Sequence, residues 1–262
     1  RAYQLEAVDV SLSGSTLLVL PTAAGKTAVA WMVMAEMLEQ TDGWALMIAP
    51  TAALVKQHLD DLEKIFDKDS IQPFSMSGAI PPSKREGMWN NGRLVVSTPQ
   101  VVRNDVNRGL LDLSNCCLLV IDEAHHATGE RAEAQVSDLY LELANQPLIL
   151  GMTASPGSTT QKVEEISNRL QVHRIHLRTS EDKMLSEHLA SLDIEELRVR
   201  VPDEIRELAL SYNDEQMDSL KQHVTSKFYE ILETKHENAD TLDERQGPAW
   251  NQNFKIFNKK CW

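Results

Sequence analysis

The chain has 262 residues, 42% hydrophobic and 25% charged, a globular composition that argues against a disordered chain and allows one large α/β domain plus a small attachment. A net charge of −13, from 26 basic and 39 acidic residues, excludes a chain-wide basic footprint for nucleic acid, so any such contact has to be local. No apolar run approaches the ~18 residues needed to span a bilayer.

In chain order, residues 15–20 (STLLVL) read as a buried strand, and residues 25–40 as a helix. That helix is apolar nearly all round through Val29, Trp31, Met32, Val33, Met34 and Leu38, which places it inside a packed layer. Residues 44–49 form the next strand and 51–66 the next helix. Strands follow at 71–77, 94–97 and 117–121, with short helices starting near Pro82 and after Pro99. A helix at 132–145 and a strand at 148–152 complete the alternation. Continuous apolar strands joined by helical crossovers predict a mostly parallel sheet covered on both faces. His173 and His176 flank a short edge strand and read as surface residues. Trp31 and Met34 read as core. Cys116 and Cys117 lie on an apolar strand and read as packing.

The pattern changes after about Arg178. From Pro202 onward the sequence reads as mainly helical, and Met217, Leu220, Val224, Phe228 and Ile231 share one helical face. The domain reading is therefore 1–201 for the α/β lobe and 202–262 for a helical segment. Three cysteines cannot build a disulfide framework, and the opening Arg1-Ala2-Tyr3-Gln4 carries no signal-peptide pattern. An intracellular, cytoplasmic location is expected. The chain also lacks an initiator Met and is read as a piece of a longer protein.

Two segments carry chemistry. The strand LLVL runs into Pro21, Thr22, Ala23, Ala24, Gly25, Lys26 and Thr27, and then into a helix. Successive backbone N–H groups at a helix start make an anion nest. Lys26 adds a point charge for phosphates, and the Thr27 hydroxyl is a ligand for Mg²⁺. The strict phosphate-loop pattern is not met, because Leu20 stands where its first Gly belongs. The second segment is Asp122-Glu123-Ala124-His125, at the C-terminal end of the strand CCLLVI. There Asp122 would hold Mg²⁺, and Glu123 would orient and deprotonate an attacking water.

With several other segments, these resemble the superfamily 2 helicases and translocases. The order is most similar to archaeal Hef and the Fanconi anaemia M-type translocases, and then to the Dicer and RNA-sensor helicases. The resemblance spans residues 1 to about 201. Arg1-Ala2-Tyr3-Gln4 resembles the Q motif, which implies Gln4 on the adenine edge and Arg1 stacking near the base. Residues 21–27 resemble motif I. Ala49-Pro50-Thr51 with Leu54-Val55-Lys56-Gln57-His58 resembles motif Ia, and Ser77-Gly78 takes the place of the short contact loop. Thr98-Pro99-Gln100 resembles motif Ib, Asp122 to His125 motif II, and Gly151-Met152-Thr153-Ala154-Ser155-Pro156-Gly157 motif III.

The resemblance implies a RecA-like P-loop lobe with ATP and Mg²⁺ as cofactors and nucleic acid as partner. Motifs Ia and Ib and the Ser77-Gly78 loop would hold phosphates through hydroxyls and amides. Thr153, Ala154 and Ser155 would couple the two sites, with Thr153 or Ser155 hydrogen-bonding near His125. The implied activity is an ATP-dependent DNA helicase or translocase on branched DNA in repair. A double-stranded RNA translocase, or the lobe of another superfamily 2 subgroup, is the alternative.

Two departures stand out. Ala23 replaces a Gly, so a positive φ there would strain it by roughly 1 kcal/mol or more. His126 replaces an Arg common after the acidic box. No Gln-x-x-Gly-Arg-x-x-Arg segment occurs in the chain. Residues 202–262 resemble in position the start of a thumb-like insertion, with a second lobe to follow. Without that lobe's arginine fingers, the fragment alone is expected to turn ATP over very slowly.

Overall fold

Seven strands lie side by side in one sheet, every neighbouring pair parallel. A computed structural model of the chain describes residues 1–66, 71–89, 92–155 and 160–186. The strands are β1 (Thr16–Val19), β2 (Trp44–Ile48), β3 (Pro73–Met76), β4 (Leu94–Ser97), β5 (Cys116–Ile121), β6 (Ile149–Thr153) and β7 (Arg174–Leu177). Their order across the sheet is β3-β4-β2-β5-β6-β1-β7.

Neighbours in register bury alternate residues on opposite faces, as the pleat requires. Leu18, Met47, Val96, Val120 and Met152 enter one core, and Leu17, Leu46, Val95, Leu119 and Ile149 enter the other. The first core is closed by α1 (Ala2–Leu12), α2 (Lys26–Gln40) and α3 (Ala52–Ile65). The second is closed by α4 (Pro82–Trp89), α5 (Pro99–Asn107), α6 (Ala132–Leu143) and α7 (Thr160–Arg169). A short α8 (Lys183–Ser186) follows β7. β3 opens the sheet as an edge strand, and its first residue is Pro73, where a missing N–H costs no ladder bond.

The all-round apolarity of α2 has a simple cause. Val29, Val33 and Leu38 are buried in the core on the sheet, while α1 packs along the helix and Trp31, Met32 and Met37 are only partly covered. Met34 is core as expected, and Trp31 is half-buried against it. Gly151 allows a close approach: a Cβ there would lie 3.1 Å from Leu170 Cδ1 and 3.2 Å from Ala124 Cβ.

Two points depart from the sequence reading. α1, α7 and the short α8 were not foreseen. His176 is not a surface residue but is buried, while its neighbours Ile175 and Leu177 point outward. An edge strand alternates whatever its residues are, and here the phase turns the His inward. Burial holds its imidazole below the ordinary 6.5, helped by Arg178 and opposed by Glu6. The helix read from Pro202, the Met217 to Ile231 face and the boundary at 201 lie outside the described residues.

Candidate functional site

Because the sheet is parallel, the loops after β1, β5 and β6 leave the same edge, and β6 separates the other two strands. The phosphate loop and the acid pair therefore stand on one side of the sheet, as ligand sites of open α/β sheets do.

The loop after β1 turns on Ala24 N donating to Pro21 O at 3.2 Å. Ala23 has φ 66° and Gly25 has φ 81°, so two left-handed residues flank Ala24. The strain anticipated at Ala23 is real, about 1–2 kcal/mol. Gly25 is the N-cap of α2, and no side chain caps the amides of the first turn. These amides are left free for an anion. α1 buttresses the loop from behind. The buried Tyr3 hydroxyl donates to Ala24 O at 2.8 Å, and Gln4 Nε2 donates to Gly25 O at 3.4 Å. A Cβ on Gly25 would sit 2.4 Å from that Gln4 nitrogen. Arg1 is exposed beside them and donates to the Tyr3 hydroxyl at 3.3 Å. Thr22 is exposed and Thr27 half-buried.

Lys26 folds its ammonium into the cup of this loop, donating to Leu20 O at 3.0 Å and Pro21 O at 3.3 Å. Burial lowers its pKa below the ordinary 10.5, while the carboxylates of Glu123 and Asp122 pull it back up. Lys26 and the acid pair thus stand at one sheet edge on either side of β6.

Asp122 continues β5, with its amide donating to Ile48 O at 2.9 Å. Its Oδ1 accepts from Glu123 N at 3.0 Å, and its Oδ2 lies 2.9 Å from His58 Nε2. Glu123 has φ 52° and opens a 3₁₀ turn over Ala124–His126. His125 Nδ1 lies 3.1 Å from Glu123 Oε2 and 3.1 Å from the Thr153 hydroxyl. His125 Nδ1 and Thr153 Oγ1 are hydrogen-bonded, with the Glu123 carboxylate beside the same nitrogen. Thr153 Oγ1 also accepts from Ser155 N at 3.1 Å. The contact to His125 is therefore made by buried Thr153, while Ser155 is exposed and contributes its amide. Ala154 lies between them, half-buried.

A groove of about 780 Å³ opens between α3, α4 and α5. Ser77, Gly78, Thr98 and Gln100 line it, as the sequence reading proposed for the phosphate grip. Pro50, Thr51 and Pro99 do not. The Thr51 hydroxyl is engaged as the N-cap of α3, accepting from Leu54 N at 3.3 Å, and Pro99 is buried at the first turn of α5. Lys56, Asn104 and Arg108 line the groove and were missed. Spacing held the signal: Gln100 and Asn104 on α5 and Arg108 at its C-cap recur every fourth residue.

Arg85 also lines the groove but is spoken for. Its Nε and a terminal nitrogen each donate to Asp105 at 2.6 Å, its other terminal nitrogen donates to Ile80 O, and Trp89 Nε1 donates to Asp105 at 2.9 Å. Burial alone would push the Asp105 carboxyl up, but the bonds from Arg85 and Trp89 outweigh it and hold it below the usual 3.8. Among the described residues no Asp or Glu lines the groove, in a chain of net charge −13.

The DEAD/DEAH box helicase family profile matches residues 1–163. The crystal structure of the Pyrococcus furiosus Hef helicase domain resembles this fold with a TM-score of 0.70 at 29% identity, covering 88% of this chain and 54% of that one. A protein of Methanocaldococcus jannaschii, assigned by name to the ATP-dependent RNA helicases, is 35% identical over 84% of this chain and 28% of its own length. An ATP-dependent DNA helicase of Neurospora crassa is 34% identical over 79% of this chain and 18% of its own length. The chain thus spans well under a third of these two relatives. With more than half its residues matched by the family profile, and with the phosphate loop and acid pair on one sheet edge, the chain belongs to the DEAD/DEAH box helicase family.

Proposed function

We propose that this chain is the ATP-binding lobe of an ATP-dependent DNA helicase or translocase of the Hef and Fanconi anaemia M type, acting on branched DNA. One observation carries the reading: the phosphate loop with Lys26 after β1 and the Asp122–Glu123 pair after β5 leave the same edge of the sheet, on either side of β6. The names of relatives support the DNA assignment: the Neurospora crassa protein is named a DNA helicase, and the Gallus gallus relative is named Fanconi anemia group M protein.

The amides at the start of α2 and the Lys26 ammonium bind the β- and γ-phosphates of ATP. Gln4, beside the loop, reads the adenine edge, and Arg1 stacks near the base. Glu123 orients a water and accepts its proton as the water oxygen bonds to the γ-phosphorus and the bond to the β-phosphate oxygen breaks, releasing ADP and phosphate. Thr27 and Asp122 offer hard oxygen donors that fit Mg²⁺. An Mg²⁺ ion that completes its shell with phosphate and water needs few ligands from the protein. That ion, when bound, offsets charge on the phosphates.

His125 links Glu123 to Thr153, and so ties the water-activating acid to β6, the strand between β5 and the phosphate-loop strand β1. Ser77, Gly78, Thr98 and Gln100 hold phosphates of one strand in the groove, and Lys56 and Arg108 supply charge. A second RecA-like lobe in the longer protein supplies the arginine fingers.

The test is competition of forked DNA against duplex RNA for this chain at one fixed salt concentration, beside ATPase measured with each. Preferential retention of forked DNA supports the proposal. Preferential retention of duplex RNA favours an RNA translocase, the class in which the Methanocaldococcus jannaschii relative is named. Brisk nucleic-acid-stimulated turnover by this chain alone refutes the need for a second lobe.

A further inference from the structure

We infer that His58 is a positioning residue that fixes Asp122 for its divalent cation. The inference rests on the nucleotide-site reading above and adds to it a residue from a helix otherwise assigned to the nucleic-acid groove.

Asp122 is held at three points. Its amide is tied to Ile48 O on the neighbouring strand, and its Oδ1 accepts from the next amide in the chain, Glu123 N. Neither of these reaches Oδ2. Backbone contacts alone therefore leave rotation about the carboxylate bonds weakly opposed. Among the described residues Oδ2 is held by a single side chain, His58, which comes from α3, 64 residues earlier in the chain.

A carboxylate only accepts, so His58 Nε2 must carry the hydrogen. The His58 side chain is 6% exposed and that of Asp122 15%, so little water competes for the bond. With one lone pair on each oxygen committed, the remaining pairs are fixed in direction. A carboxylate whose free lone pairs are aimed in advance holds a cation, or the waters around it, without first losing rotational freedom.

A merely structural role predicts something different. A buried His bonded to a buried carboxylate would anchor α3 to β5, and its loss would lower stability alike with and without cation. A positioning role predicts a loss confined to cation-dependent binding. The geometry also names the substitute. Gln has an N–H donor at comparable reach, Asn has the donor on a shorter stem, and Leu has none.

The experiment measures the affinity of fluorescent mant-ATP for the wild-type chain, His58→Leu, His58→Asn and His58→Gln, each with excess Mg²⁺ and with EDTA. A Mn²⁺ titration followed by electron paramagnetic resonance reads the cation directly. His58→Leu and His58→Asn are expected to weaken Mg²⁺-dependent binding and Mn²⁺ affinity by about tenfold, within the 10–100-fold seen for residues that orient metal ligands. Their mant-ATP affinity in EDTA stays at the wild-type value, and His58→Gln recovers most of the loss. If His58→Leu does not fold, His58→Asn and His58→Gln carry the comparison. The inference is overturned if the variants match wild type with Mg²⁺, or if affinity falls equally in EDTA. A wild-type chain whose mant-ATP binding ignores Mg²⁺ overturns the nucleotide-site reading itself, and this link with it.

Discussion

Ala23 and Ala35 lose the same methyl when changed to Gly, yet the two changes have opposite predicted signs. Ala23 sits in the phosphate loop at φ 66° with its side chain exposed. Ala35 is exposed in the interior of α2. At Ala23 a Cβ is strained by about 1–2 kcal/mol, and Gly removes that strain. Gly also gives the unfolded chain more freedom, which costs about 0.4–1 kcal/mol. Because Ala23 is exposed, little packing enters, and the balance is a gain of about 0.5–1 kcal/mol. At Ala35 no strain is relieved, so Ala35→Gly loses about 1 kcal/mol from helix propensity alone. Urea unfolding followed by tryptophan fluorescence measures both. At about 2 kcal/mol per molar, the two midpoints move apart by roughly 0.7–1 M. If Ala23→Gly destabilises as much as Ala35→Gly, then φ at position 23 is not positive in solution, and the strained anion nest argued above is wrong.

Asp105→Ala leaves the Arg85 guanidinium and Trp89 N–H buried without their acceptor, and should cost about 3–5 kcal/mol by denaturant titration. Replacing the pair together, Arg85→Met with Asp105→Leu, should cost far less. Because the folded Asp105 titrates below 3.8, its stabilisation is complete above that value and is lost as pH falls through the folded pKa. A wild-type acid transition matching that of Asp105→Ala would contradict this. For His176, lowered below 6.5, stability is fully present above 6.5 and falls as pH drops beneath it. His176→Leu should flatten that part of a melting-temperature profile. Lys56→Ala and Arg108→Ala should each reduce the slope of log affinity against log salt for forked DNA by about 0.7–0.9, without moving the urea midpoint. An unchanged slope would remove them from the interface.

The parts of the fold that stood out in sequence were those whose residues need no partner to explain them. β1, β2, β4 and β5 are near-continuous apolar runs because both faces are covered, and each was placed to within about one or two residues. α1 was missed because its buried face is Tyr3, Ala7, Val8 and Ser11, too small and polar to set a helical period against exposed Leu5. β7 misled because its apolar residues face out. In the site, Lys26, Asp122 and Glu123 were legible from local order, since a phosphate loop and an acid pair each follow their own strand. The tie of His58 to Asp122 and that of Arg85 to Asp105 join residues 64 and 20 apart, and only the sheet order and helix packing bring them together. Local spacing carries no record of such pairs.

The acidic composition bears on how the groove proposed for nucleic acid would bind. A chain of net charge −13 repels a polyanion at long range, yet among the described residues the walls of the groove contain no carboxylate. Three cations line it, and one of them, Arg85, is neutralised by Asp105 beneath the surface. Two exposed charges, Lys56 and Arg108, remain to meet phosphates, and the rest of the lining is hydroxyl, amide and small apolar surface. Counterion release from two contacts gives a log–log salt slope of only about −1.4 to −1.8. Hydrogen bonds from hydroxyls and backbone amides are shorter in range than charge and follow backbone geometry instead of base identity. Under the translocase function proposed above, a lobe built this way would hold a strand weakly and without sequence preference, which suits a part that has to release and regrip its track.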